Sequence, residues 1–210
     1  MAGAASVLID DSPLSRLDQR LERIERVLAL VSGLAVFSLM ILAVVSVGGR
    51  NFFAQPLPGY VDWIEQAMPL IAFAGISYVQ RNGGHIRMDI LVGQLRGRFL
   101  WVFEFLTTFA ILLLMLALVW GSWSHFARSF DFAAPLWSRD SSMDIAIPLW
   151  PAKLVAPVAF AVLSLRIALQ LVGYGRAILT GAEKPAGLPL IEDVATQAQR
   201  EAEQLSGRDD

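Results

Sequence analysis

The sequence contains no cysteine, only two histidines and few charges. Without cysteine there are no disulfides, thiolate nucleophiles or thiolate metal sites. The histidines, His85 and His125, flank the third apolar run. They lie about one membrane thickness, ~30 Å, apart and cannot share one iron. Charged residues are 17% of the 210, and the net charge is -2. That leaves no basic surface for nucleic acid. There is no His-x-x-Glu, no carboxylate cluster at metal spacing and no Ser/His/Asp arrangement. Gly83-Gly84 reads as a turn, not a phosphate cradle. These absences argue against catalysis, and the chain is expected to carry no cofactor of its own.

What is present is apolar length. Hydrophobic residues make up 55% of the chain. Residues 27–47 carry no charge. At about 1.5 Å per residue this run matches a bilayer core of about 30 Å. Further runs follow at 63–79, 99–123 and 152–172. The expected fold is an all-α integral membrane protein with four transmembrane helices, forming one domain over 27–174. Met1–Asp11 carries no positive charge. It lacks the basic start of a secretory signal, and the first run reads as an uncleaved membrane helix.

Residues 1–26 are expected to be cytoplasmic. Ser12-Pro13 reads as a helix start. Leu14, Leu17, Leu21, Ile24 and Leu28 repeat at three and four. That pattern fits an amphipathic segment lying on the membrane, or a solvated extension of the first span. Ile86, Ile90, Leu91 and Leu95 suggest a short interfacial helix between spans two and three. Pro157 predicts a kink in span four. The tail, 175–210, is acidic and expected to be cytoplasmic and disordered.

Lys and Arg counts set orientation. Ten fall on one side: Arg16, Arg20, Arg23, Arg26, Arg81, Arg87, Arg96, Arg98, Arg176 and Lys184. Four fall on the other: Arg50, Arg128, Arg139 and Lys153. Both termini should be cytoplasmic. Most tryptophans gather at the outer ends, as an aromatic belt would.

Ionisable residues within or near apolar spans need a reason. Asp62 and Glu65 fit a capping box, or Glu65 meets a partner subunit. Glu104 and Arg166 both fall in the inner leaflet and are expected to pair across spans three and four. The alternative for Arg166 is snorkelling. Ser38, Ser77, Thr107 and Thr108 are too few polar groups for a substrate path.

The loops then point to a family. Arg50-Asn51-Phe52-Phe53-Ala54-Gln55-Pro56-Leu57-Pro58-Gly59 leads into a span holding Glu65. That span ends in Gly75-Ile76-Ser77-Tyr78-Val79-Gln80-Arg81-Asn82-Gly83-Gly84-His85-Ile86-Arg87-Met88-Asp89. Together with Ile147-Pro148-Leu149-Trp150-Pro151 and Leu165-Arg166, this resembles the small membrane subunit (DctQ-like) of TRAP, the tripartite ATP-independent periplasmic transporters, over about 27–173. The resemblance implies a non-catalytic subunit in the bacterial inner membrane. Its implied partners are a large multispanning DctM-like subunit, which holds sodium and the organic acid, and a periplasmic substrate-binding protein. The matching positions Arg50, Glu65, Gly84, His85 and Asp89 imply turns, caps and subunit packing, and His85 and Arg87 imply contact with membrane phospholipids. Two other classes fit a four-span chain: a membrane anchor of a redox complex, and a dimeric exporter using Glu65 or Glu104 as proton carrier.

Overall fold

The computed structural model describes residues 13–55, 57–81 and 98–180. The described segments form α1 (Pro13–Phe53), α2 (Tyr60–Phe73), α3 (Ile76–Arg81), α4 (Arg98–Ser129) and α5 (Trp150–Thr180). A 3-10 turn, Pro135–Trp137, lies in the α4–α5 loop. The described residues contain no β-strand, only two isolated bridges in that loop. The all-α expectation holds.

Among the described residues, three helices are long and apolar enough to cross a membrane: α1, α4 and α5. The second apolar run is divided. α2 has 14 residues and α3 has six, separated at Ala74-Gly75. The Ala74 N–H still bonds the Leu70 carbonyl at 3.1 Å, and Val79 N–H bonds Gly75 at 3.2 Å. Pro69 inside α2 lacks a donor, which weakens the ladder just ahead of the break.

α1 starts at Pro13, a favoured first-turn position for proline. It then runs unbroken for 41 residues, about 60 Å. That is twice a bilayer core; residues 13–26 continue the first span as one helix, which is the second of the two readings of this segment. On this extension the apolar repeat is split, with Leu21 buried. Leu17 and Ile24 are half exposed, while Asp18 and Glu25 are buried. α5 continues through Pro157 as one helix. The expected interfacial helix at 86–95, and Gly84, His85, Arg87 and Asp89, lie outside the described residues, as does the tail from 181.

α4 and α5 form an antiparallel hairpin. Trp101 stacks on Tyr174 at one end (6.0 Å), and Phe130 meets Trp150 at the other (5.5 Å). On α4 the covered residues are Trp101, Phe105, Thr108, Leu112, Met115, Val119, Ser122, Phe126 and Ser129. They alternate strictly at four and three, the 3.5-residue repeat of a coiled-coil seam. Every other residue from 101 to 129 except Glu104 is exposed. α5 also packs on α2, α3 and, more sparsely, α1, and α2 and α3 pack on α1. α1 and α4 are therefore opposite edges of an open layer, with α5 inside it.

Candidate functional site

The described charges gather at two places, one at each end of the layer. The first joins the N-terminal extension of α1 to α3 and α5. Asp18, Glu22 and Glu25 follow one another at four and three residues, so they share one side of α1. Arg166 of α5 donates to Glu25 through Nε (2.8 Å) and Nη2 (2.6 Å), a bidentate fork. Its Nη1 donates to Asp18. Ser77 of α3 donates to Glu25 Oε1 at 2.5 Å. Arg81 Nη2 reaches Asp18 at 3.1 Å and Glu22 at 3.0 Å. Arg26 closes the edge on Glu22 at 2.6 Å. Three carboxylates thus meet three guanidiniums.

Glu25 is 0% exposed and Arg166 is 1% exposed. An isolated charge so placed would cost several kcal/mol, and only pairing with further hydrogen bonds offsets that. Within a membrane the rule is the same: charges face the protein and find partners. Below the cluster, Gln80 donates to Gln170 at 3.0 Å, extending the α3–α5 seam. The Nε of Arg81 is buried without a hydrogen-bond partner among the described residues.

The expected Glu104–Arg166 pair does not form. Arg166 spends all three nitrogens on α1, because the extension brings two carboxylates onto its face of α5. Snorkelling fails for the same reason. Glu104 is buried at the start of α4 and joins no ion pair among the described residues. Sequence reasoning missed Asp18, Glu22 and Glu25 altogether. The available signal was their i, i+4, i+7 spacing, set against two arginines in apolar surroundings.

The second place is the α4–α5 loop. Asp62 of α2 is buried, and it caps no helix. The residue before α2 is Gly59, in the left-handed region (φ 69°), with no side-chain cap. A Cβ on Gly59 would strike the Ile145 side chain, so glycine is required there twice over. Asp62 instead receives the loop: Ser142 Oγ donates at 2.7 Å, Ile145 N–H at 2.8 Å and Asp144 N–H at 3.1 Å. The Ser142 hydroxyl in turn accepts from Ile147 N–H at 2.9 Å. The expected Asp62–Glu65 capping box is therefore replaced by a long-range clasp, and Glu65 stands exposed on α2. Gln66 Nε2 donates to the Pro148 carbonyl at 2.5 Å.

Lys153 bonds Asp140 at 2.5 Å and Ser129 Oγ at 3.2 Å, and Arg139 bonds Asp131 at 3.1 Å. The Lys153 ammonium holds the Asp140 carboxyl below its ordinary value, and the Ala133 N–H does the same for Asp131, helped by Arg139. Phe126 stacks on Phe130, and Phe130, Phe132, Trp137 and Trp150 meet edge-to-face or tilted around this loop. Leu136 and Trp137 hold left-handed backbone; the Leu136 carbonyl accepts from Trp150 Nε1 at 3.1 Å and the Trp137 carbonyl from Asp131 N–H at 3.1 Å. Arg50 is exposed in the last turn of α1, where a cation suits the helix dipole.

Chemically, neither place is a reaction centre. In the first place guanidiniums and carboxylates are turned on one another, and in the second Asp62 accepts from Ser142, Ile145 and Asp144. No group of three or more His, Cys, Asp or Glu suited to a metal occurs among the described residues. What both do is fix helices to one another.

Comparison with curated protein sequences finds no significant match. The family model for the DctQ component of tripartite ATP-independent periplasmic transporters matches residues 39–174. The matched stretch holds Glu65, Arg81, Glu104, Arg166 and the whole Asp62 clasp, while Asp18, Glu22 and Glu25 lie ahead of it. With most of its length matched in this way, the chain belongs to the DctQ family, the small membrane component of TRAP transporters.

Proposed function

We propose that this chain is the non-catalytic scaffold of a sodium-driven, binding-protein-dependent importer of organic acids, C4-dicarboxylates or other carboxylates. It lies in the bacterial inner membrane with both termini in the cytoplasm. α2 and α3 together form a fourth crossing, bent at Ala74-Gly75. The large DctM-like subunit holds sodium and the substrate; this chain holds neither. The clasped loop faces the periplasm, where the binding protein docks.

The observation that carries this reading is the open layer. α4 covers only one seam, and α1 and α4 are exposed along most of their apolar length. A single layer of helices cannot enclose a solute, but it can widen another protein in the bilayer. One exposed ridge of α2 favours a protein neighbour over lipid: Val61, Glu65, Met68 and Ala72, at four, three and four residues. A carboxylate inside such a ridge costs about 2.5–3.5 kcal/mol at mid-bilayer on insertion scales, less near its edge, so a donor on the partner is favoured there.

The test is co-expression with the neighbouring large hydrophobic protein and a tag on this chain. Stable co-purification is expected, reduced by Glu65→Leu with little change in the chain's own thermal unfolding. Organic-acid uptake into proteoliposomes containing this chain as the sole protein would overturn the reading.

A further inference from the structure

We infer that Arg16, Arg20 and Arg23 on α1 form a binding ridge for the anionic headgroups of bilayer phospholipids. The inference rests on the chain being a membrane subunit, and not on which protein it partners. Steps of four and three residues place the three guanidiniums on one side of the helix. That side is half a turn away from Asp18 and Glu25, which point into the layer. All three arginines are exposed. None forms an ion pair among the described residues, whereas Asp18, Glu22 and Glu25 are committed to Arg166, Arg81 and Arg26. Three cations therefore stand in a row without a counter-charge among the described residues.

The same ridge identifies the ligand. Four residues beyond Arg23 comes Val27, and the line continues through Leu34, Ile41 and Val45, all about half exposed. Basic residues give way to aliphatic ones across one helical turn, about 5.4 Å. A bilayer makes that same change where its phosphates meet its acyl chains. Half-exposed Leu17 and Ile24 flank the arginines with further apolar surface. Guanidinium is the side chain suited to phosphate, through paired N–H donors in a fixed plane. A soluble anion would need no such continuity with an apolar wall.

The test uses the full chain in detergent, titrated with phosphatidylglycerol, phosphatidylcholine or inorganic phosphate and read by native mass spectrometry and thermal unfolding. Wild type is expected to bind phosphatidylglycerol in preference to phosphatidylcholine. Each arginine removed should weaken that binding about fivefold. The triple variant R16Q/R20Q/R23Q should therefore lose on the order of a hundredfold, with its midpoint in pure detergent unchanged. The matching triple lysine variant should keep most of the affinity, and Arg50→Gln at the other end of α1 should keep all of it. Unchanged phosphatidylglycerol binding in the triple glutamine variant would overturn the inference. So would equal binding of phosphatidylcholine, displacement by millimolar phosphate alone, or loss of large-subunit co-purification with lipid binding intact.

Discussion

The two ends of the layer each bury an aspartate, and they satisfy it in opposite ways. Asp18 is met by guanidiniums from α5 and α3. Asp62 is met by a hydroxyl and two backbone N–H groups from one loop. The first arrangement matches full charges and joins three helices. The second uses dipoles and shapes a turn. The difference is one of what is left behind when a partner is removed. A deleted cation strands buried anions, whereas a deleted anion in the loop strands only neutral donors that water can reach.

The largest effect should follow from breaking the charged end. Arg166→Ala leaves Asp18 with Arg81 and Glu25 with the Ser77 hydroxyl alone among the described residues, and breaking a buried pair costs about 3–5 kcal/mol. Thermal unfolding in detergent should show it. Adding Glu25→Gln should recover part of the loss, because the stranded charge is then gone. Equal midpoints for wild type and Arg166→Ala would erase the contrast between the ends.

A smaller loss is expected at the loop end. Asp62→Ala frees Ser142 and the Ile145 and Asp144 amides, at about 1–3 kcal/mol. Asp62→Asn keeps an acceptor and should lie between. Limited proteolysis within 130–149 reads this directly, since the clasp holds that segment in place.

The smallest effect is on pH. Asp131 and Asp140 have carboxyl values lowered by Ala133 N–H and Lys153 respectively, from an ordinary 3.8. A lowered folded-state value stabilises above the unfolded value and is lost as pH falls through the folded one. The loop should therefore loosen only below about pH 4, and tryptophan emission from Trp137 and Trp150 should follow it. A loosening centred near neutrality would point to other groups.

Much of the fold was legible because apolar length is a strong signal. Runs 27–47, 99–123 and 152–172 became α1, α4 and α5, each longer than its run. The helices outlast the apolar stretch because Arg, Glu and Ser are tolerated in a helix beyond the bilayer. Pro58-Gly59-Tyr60 correctly marked the start of α2. The partners of Arg166 were not legible. Leucine periodicity on residues 14–28 pointed to a membrane-lying segment or a solvated extension, and neither reading asked what the acidic residues between the leucines would meet. Asp18 and Glu25 took the interior because cations wait for them there. Asp62 was misread for a related reason. A local cap partner, Glu65, was near in sequence, but the donors came from 80–83 residues away.

The distance along the chain between the members of the charged knot, 141 residues for Arg166 and Glu25, gives it a meaning in time. The ribosome makes the acidic strip of α1 first and its chief counterpart nearly last. Until α5 arrives, Glu25 has only the Ser77 hydroxyl and Asp18 only Arg81 among the described residues. A polypeptide cut short before residue 166 thus remains visibly unfinished, which is the state that membrane quality control is built to notice.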